Sequence, residues 1–381
     1  MTDPGIAPPP DTPTPTVPPV PPASPVPPVP NAPVVSAPAE RGWGKLLIAI
    51  AAFLFIPTIP QMRALLPLEQ TMTLFVPAVA ACALVGWWAG GRAFLAIAWV
   101  AIAVLVTAPS PAATDPFYNL ARGWSLLLAG AFGLVCLFGT QRPLFPRALV
   151  ALGVTLALAM VMSLIGPVTL SQAATIIAGE FARRNRETMD VMNQFIAGHP
   201  KEWQQFTTAV PQFASLPAET EQALTLLSKA GLAVFPALLA LQSLAAMAMA
   251  WATYHRLGRA RLGPPLRPLR EFRFNDQLVW GLIVGLTIML LPTLTALSGA
   301  GRNLLVFFGA LYAVRGLGVL SWFSKPGRLR WAAIIGFALL FAPIVNVAAL
   351  LGFLMLGVAA LALGLGDTWA DWRGRARSSP L

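Results

Sequence analysis

The amino-acid sequence predicts an all-α protein, a polytopic transmembrane helical bundle with nine or ten crossings. Of its 381 residues, 56% are hydrophobic and 11% are charged, whereas soluble domains average about 25% charged residues. The mean hydropathy is +0.69. Apolar runs close to the length of a membrane span recur along most of the chain. These three observations exclude a soluble globular enzyme.

The first element is a proline-rich tail. Residues 1–40 contain 16 of the 37 prolines and no Lys or Arg. Such a segment buries little apolar surface and lacks regular backbone donors, so we expect a disordered, partly polyproline-II tail. A ligand role for aromatic-groove domains and a plain flexible tail both stay open. The tail lacks the basic start and early apolar core of a secretory signal.

Nine apolar runs follow the tail and predict the transmembrane helices. They lie at 46–60, 71–90, 92–107, 122–139, 146–166, 230–255, 277–297, 303–323 and 329–366. The last run would make a helix of about 57 Å at about 1.5 Å per residue, while the hydrocarbon core is about 30 Å thick. Pro343 and Asn346 lie in its middle, so we expect either a tight hairpin, which gives ten crossings, or one kinked helix.

Basic residues set the orientation, because Lys and Arg concentrate in cytoplasmic loops. With a cytoplasmic N-terminus and a hairpin in the last run, the inside segments carry 17 Lys and Arg, and the short outside loops carry three. The basic C-terminal cluster favours ten crossings over nine. The sequence therefore predicts a multi-pass protein of the inner (cytoplasmic) membrane. The net charge of +11 follows from this asymmetry, and we expect no nucleic acid as a partner.

Five parts follow from this organisation. They are a disordered tail (1–40), an N-terminal transmembrane bundle of about five spans (41–166), a helical extramembrane insertion placed outside (167–229), a C-terminal transmembrane region (230–372) and a basic tail (373–381). The insertion has apolar residues at near-helical spacing, interrupted at Pro200, Pro211 and Pro217, after which the helical pattern runs on into the next span. It is a lid over an external opening, an interfacial helix on the membrane, or a cap that only packs on the bundle.

Arg315 is the candidate for ligand binding. It lies near the middle of the 303–323 run, where a charge is expensive and usually faces the bundle interior or a water-filled cavity. Tyr312 lies on the same helical face, and Asn303 and Asn346 complete the hypothetical substrate-binding set. No acidic residue lies in the core of a span, so we expect no internal counter-ion, which favours a small anionic or amphipathic ligand. The alternative is a structural Arg that binds backbone carbonyls.

The loop 256–275 is the candidate for partner binding. It contains six arginines and three stiffening prolines. Arg267, Arg270 and Arg273 could contact a cytoplasmic or membrane coupling subunit, or anionic headgroups of the bilayer. A role as a topology anchor alone also explains the arginines.

Catalytic and metal-binding patterns are missing from the sequence. It has no Walker A loop, no H-E-x-x-H and no G-x-S-x-G motif. Cys82 and Cys136 each lie inside an apolar run, and His199 and His255 are far apart. We therefore expect no enzyme, no metal and no cofactor, and the lipid bilayer as a partner.

Three segments resemble a known family. They read PLREFRFNDQLVWG (268–281), NLLVFFGALYAVRGLGVLSWF (303–323) and LGLGDTWADWRGR (363–375). Their order resembles the YybS-like bacterial multi-pass membrane proteins, a family of unknown function (domain of unknown function 2232). The positions that match the family pattern are Asn303, Tyr312, Gly316, Asp367, Asp371 and Arg373, while Gln is common in the family where Arg315 stands. The family is similar in architecture to substrate-binding S components of energy-coupling-factor transporters, which implies a fold and not an activity.

Two functional hypotheses follow for this integral membrane protein of uncharacterised function. It is a small-molecule-binding or transport-related subunit without its own ATPase, or it is a structural or assembly scaffold without transport activity. A transport-related subunit needs a polar cavity at Arg315 that is reachable from outside. A scaffold would have that Arg packed shut against carbonyls.

Overall fold

A computed structural model describes residues 42–108, 115–138, 142–260, 262–324 and 346–378. Helices joined by short turns make up this part of the chain, and no strand occurs within it. The predicted all-α fold is therefore confirmed. The proline-rich tail (1–40) lies outside the described residues.

Six helices precede the insertion. They are α1 (Trp43–Phe55), α2 (Pro60–Arg63), α3 (Met72–Trp88), α4 (Ala93–Thr107), α5 (Pro116–Phe138) and α6 (Leu144–Ile165). The central one is α3, which packs against both α4 and α5. Most of its residues are buried, and Val79 and Cys82 are 0% exposed. Small alanines along α3 allow neighbouring helices to approach on every side.

The insertion consists of three helices and a 3₁₀ turn. The helices are α7 (Leu170–Gly198), α8 (Pro200–Ala209) and α9 (Leu216–Ala233), and the 3₁₀ turn is Pro211–Ser215. Thr169 and Gln172 form a capping box that fixes the start of α7. Proline begins α8 and follows the start of α9, where its missing N–H costs nothing. The breaks therefore occur where the prolines predict them.

Five helices follow the insertion in the part of the chain that the structure describes. They are α10 (Phe235–Leu257), α11 (Val279–Leu290), α12 (Ser298–Phe323), α13 (Asn346–Ala370) and α14 (Trp372–Ser378). The core centres on α10, which packs against α3, α6 and α12. The expectation that one helical pattern runs from Pro217 into the span is wrong, because α9 ends before Val234, whose backbone leaves the helical region.

The apolar helices fit a membrane. Four described helices are long and apolar enough to cross it, and five shorter helices are apolar. Each of the nine predicted runs overlaps one of them. Large apolar side chains such as Trp88, Phe94 and Leu164 are about 80% exposed, as expected for surfaces that face lipid. Residues 325–345 lie outside the described residues, and with them the predicted hairpin.

The bundle has two ends, which position the polar clusters. Helix α10 starts beside the insertion and finishes at the arginine-rich loop, so we name these the insertion end and the loop end. Asn303, near the start of α12, contacts the start of α10 at the insertion end. Arg373 on α14 contacts the loop at the loop end.

Candidate functional site

The loop after α10 is held in one conformation by side chains of the bundle. Donors or ring nitrogens from α6, α10 and α14 contact six of its backbone carbonyls, and we call residues 260 and 262–272 the clamped loop. The contacts are Tyr254 Oη to Ala260 O (3.0 Å), Arg147 Nη1 to Leu262 O (2.8 Å), His255 Nε2 with Gly263 O (3.0 Å), Trp251 Nε1 to Pro264 O (3.2 Å), and Arg373 Nη1 to Arg270 O (2.9 Å) and Phe272 O (3.2 Å). A proline-containing loop has few backbone donors of its own, so these contacts fix it in place.

The clamping side chains are themselves well packed. Trp251 is 0% and Arg147 is 1% exposed. The Arg147 guanidinium lies 5.2 Å from the centre of the Trp251 ring, a cation–π distance. The Arg147 guanidinium is shielded from water by this burial, and the carbonyl of Leu262 accepts one of the hydrogen bonds that water would otherwise accept.

A second cluster ties the loop to the last three helices. We call it the clasp, and its members are Arg273, Asp276, Arg315, Asp367, Asp371 and Arg373. Three arginines meet three aspartates, so its formal charges balance. Arg315, Asp367 and Arg373 are buried, and buried charges are tolerated when each is paired and hydrogen-bonded.

Arg315 lies at the centre of the clasp. Its Nε donates to Asp367 Oδ2 at 3.1 Å, and its Nη1 lies 2.5 Å from Asp276 Oδ1. Its Nη2 donates to the backbone carbonyl of Asp367 at 3.3 Å. The residue is 2% exposed. The expectation that Arg315 has no internal counter-ion is wrong, because α13 continues past the predicted end of the last apolar run and carries Asp367 to it.

The turn between α13 and α14 directs Arg373 into the clasp. Asp371 has a φ of 40°, the left-handed conformation that Asp adopts more readily than most residues. Its carboxylate accepts hydrogen bonds from Arg273 and from the backbone N–H of Gly374. The Arg273 hydrogen bond is the main reason why the pKa of Asp371 lies below its usual value. Arg373 then reaches Asp367 Oδ2 at 2.6 Å.

Two glycines let α12 and α13 cross closely enough for the clasp to form. A Cβ atom at Gly316 would collide with the carbonyl of Ala360. A Cβ at Gly364 would collide with the carbonyl of Tyr312. Only glycine permits backbones to approach this closely.

The predicted substrate-binding residues do not share one cavity. Tyr312 is 0% exposed and packs edge-to-face on Phe274, with ring centres 5.0 Å apart. Asn303 lies 12 residues before Arg315, about 18 Å along the helix. Its side chain accepts from the Ala237 N–H at 2.9 Å and donates to Ala233 O at 3.2 Å. Asn346 begins α13, and its side chain lies outside the described residues.

The three predicted partner-binding arginines differ in their surroundings. Arg267 is exposed. The side chain of Arg270 is 60% exposed, with Glu271 at 3.8 Å. Arg273 belongs to the clasp through its ion pair with Asp371. The clamped loop thus presents Arg267 and Arg270 outward and directs Arg273 to the C-terminal segment.

A further polar cluster fastens the insertion to the bundle. Arg184 on α7 is 1% exposed and binds Glu180 at 2.8 Å and Glu69 at 2.7 Å. It also donates to Leu66 O at 2.9 Å and Pro67 O at 3.1 Å. These contacts fix α7 on the turn between α2 and α3. The arrangement is that of a cap which packs on the bundle.

Arginines also control the ionisation of Glu180. Burial by itself raises the pKa of this carboxyl, but hydrogen bonds and charges from Arg183 and Arg184 outweigh burial and hold the pKa below its ordinary value. Beside this cluster lies a cleft with about 430 Å³ of empty space, and its wall includes Glu69, Asp115 and Arg183.

Sequence reasoning missed the clamping residues. Arg147, Trp251 and Tyr254 look like ordinary residues near the ends of apolar runs, and no spacing marks them as contacts of a loop. Asp276 lies in segment 268–281, which resembles the family, but its residue type and position predicted no role for it. Of the positions that match the family pattern, Tyr312, Gly316, Asp367, Asp371 and Arg373 come together at the loop end, whereas Asn303 lies at the other end.

Comparison with known protein families identifies a related family. The model of a family described as predicted membrane protein (DUF2232) matches residues 46–359. No curated protein and no solved structure matches the chain. The match includes segments 268–281 and 303–323, while Asp367, Asp371 and Arg373 lie beyond it.

Proposed function

The chain belongs to the DUF2232 family of predicted membrane proteins, and from that premise we propose that it is a non-enzymatic docking subunit of the membrane, whose clamped loop binds an acidic surface of a cytoplasmic partner protein. One observation carries the proposal: six backbone carbonyls of the loop are contacted by side chains of the bundle. The proposal is the scaffold hypothesis in a specific form.

The rigidity of the loop distinguishes docking from a topology anchor. Arginines that only orient a membrane protein need charge and no fixed position. Ordering a backbone costs roughly 1–2 kcal/mol of conformational entropy per residue. In this loop, contacts from the side chains of five bundle residues offset that cost. A preorganised surface lowers the entropy cost of binding a partner.

The exposed side chains of the loop indicate the chemistry of the partner. Arg267 and Arg270 of the loop are exposed, as is Arg259 just before it, and Leu269 is 46% exposed next to Arg270. Such a surface combines positive charge with an apolar contact. It is complementary to an acidic surface with a small apolar depression.

A transport-related role at Arg315 has less support. The guanidinium is bound by two carboxylates and a carbonyl, and it lies at the loop end, away from the predicted outside. Small-molecule binding is a second candidate function only at the insertion end, where the cleft beside Glu69 and Asp115 offers space. Replacing Asp115→Asn and comparing co-purifying small molecules by mass spectrometry tests it, and identical sets would remove its support.

The docking proposal is tested with two kinds of variant. One removes charge from the loop and from the residue just before it (Arg259→Gln, Arg267→Gln and Arg270→Gln together). Its matched control removes three exposed basic residues elsewhere on the predicted cytoplasmic face (Lys45→Gln, Arg92→Gln and Arg142→Gln). The second kind, Tyr254→Phe with Trp251→Phe, removes two clamping donors and keeps every charge.

The readout is quantitative mass spectrometry of proteins cross-linked to each variant in native membranes. We expect a partner that is retained by the control, lost with the charge variant and reduced with the clamp variant. Melting of each purified variant shows that it is folded. Equal loss in both charge variants, or full retention by the clamp variant, would mean that the arginines only orient the chain.

A further inference from the structure

A groove at the loop end is separate from the clamped loop. It runs between α12, α13 and α14, with about 890 Å³ of empty space. Its walls are mostly apolar and are formed by Val319, Leu320, Phe323, Leu363 and Trp372, with Ser324 and Arg375 as polar members. Neither the clasp nor the proposed docking surface uses these side chains.

The groove changes from apolar to polar along the helix axis. Val319 lies five residues before Ser324. At about 1.5 Å per residue, Val319 is therefore about 7.5 Å deeper in the bundle than Ser324. Ser324 follows the last residue of α12, and the exposed Arg375 belongs to α14 beyond the end of α13. The polar residues therefore lie where helices end, at the level of lipid headgroups, and the apolar wall extends toward the hydrocarbon core.

We propose that this groove binds one anionic phospholipid of the bilayer. The headgroup phosphate lies at the Arg375 guanidinium and the Ser324 hydroxyl, and an acyl chain lies along Val319, Leu320 and Leu363. The Trp372 indole belongs to the residue class that is enriched at the membrane–water boundary. Basic sites between transmembrane helices at this level attract anionic headgroups.

The dimensions of the groove argue against other occupants. A stable protein–protein interface uses roughly 20–30 residues on each side, and seven of the described residues line this groove. A free phosphate ion would use the Arg375 end and leave the apolar wall uncovered. An amphipathic anion covers both parts, and the bilayer supplies it next to the groove.

The test uses the purified full chain in mild detergent and native mass spectrometry. Dioleoylphosphatidylglycerol and dioleoylphosphatidylcholine are added in equal amounts as probes. Arg375→Gln removes the charge at the groove, and Arg92→Gln is its control, with the same change of net charge on an exposed arginine to which no binding role is assigned. Leu363→Trp fills the groove, and Leu356→Trp is its control at a lipid-facing position of the same helix.

We expect the wild type to retain one phosphatidylglycerol in preference to phosphatidylcholine. Arg375→Gln should reduce that retention about fivefold, since one basic residue near an anionic headgroup contributes about that factor. Leu363→Trp should reduce retention of both lipids, and both controls should behave as the wild type. Melting curves identify a variant that is not folded, and Arg375→Gln tests the headgroup contact without altering the groove wall.

Three results would overturn the proposal. They are equal retention of the two lipids by the wild type, an equal loss of phosphatidylglycerol in Arg92→Gln, and a lipid-free dimer in the mass spectrum. The lipid site does not depend on the docking proposal. Loss of the partner without loss of lipid in Arg267→Gln separates the two.

Discussion

Asp367 on α13 receives the side chains of two arginines, and its ion pair with Arg315 on α12 is almost completely buried. The Arg315 Nε–Asp367 Oδ2 distance is 3.1 Å, and the two side chains are 3% and 0% exposed. Arg373 lies 2.6 Å from the same oxygen. Because each buried charge depends on the others, α12, α13 and the C-terminal segment fit together in one arrangement. The clasp therefore specifies the loop end of the bundle.

Asp367→Asn should severely destabilise the protein. The substitution leaves two buried guanidinium groups with one fewer negative charge, and removal of one partner from a buried pair costs about 3–5 kcal/mol. Thermal unfolding of the purified protein in mild detergent measures the effect. Asp371→Asn, which alters an exposed ion pair of the same clasp, should cause a much smaller change. Equal melting of the Asp367→Asn variant and the wild type would contradict the role of the clasp.

Gly316→Ala should separate α12 from α13. The added Cβ would collide with the carbonyl of Ala360, and overpacking of this kind costs about 1–3 kcal/mol. Gly309→Ala on the same helix is the control, because a Cβ there has open space. The melting temperature should fall for Gly316→Ala alone. An equal fall in melting temperature for the two substitutions would show that the loss of any glycine from α12, and not the close crossing of α12 and α13, lowers stability.

The sequence predicted the helices more fully than their polar contacts. Hydropathy located the nine apolar helices of the described residues, since membrane spans have to be apolar over most of their length. The breaks in the insertion followed from its prolines. The helix ends were less predictable, and α13 continues through Asp367 although its apolar run ends at residue 366.

That difference explains the error at Arg315. An arginine in an apolar run predicts a costly charge and an interior position, and the structure places it there. Its partners Asp276 and Asp367 are 39 and 52 residues away in sequence. No local pattern indicates which carboxylate the fold brings to a given arginine. The loop contacts of Arg147 and Trp251 were unpredictable for the same reason.

The insertion should stay docked at neutral pH and detach in acid. The pKa of Glu180 lies below its ordinary value of 4.5 in the folded protein, so its stabilising contribution is complete above that value and is lost as the pH falls through the lowered pKa. Hydrogen exchange of α7, corrected for the intrinsic effect of pH, measures the release. Glu180→Gln should weaken docking at neutral pH and reduce the acid-dependent step, while Glu187, whose pKa is also lowered by Arg63 and Arg183, keeps its own part of that step. A release centred above pH 4.5 in the wild type would contradict the assignment to Glu180.

The insertion and the clamped loop should lie on opposite sides of the membrane. Both native cysteines are 0% exposed, so a cysteine introduced at an exposed position is the reactive one. Gln204→Cys on α8 should react with a membrane-impermeant maleimide in spheroplasts, whose inner membrane is intact, because the charge pattern places the insertion outside. Pro265→Cys in the clamped loop should react only after permeabilisation, and both variants should react in detergent. Labelling of Pro265→Cys before permeabilisation would mean that the loop lies outside the cytoplasm, and it would exclude a cytoplasmic partner for the loop.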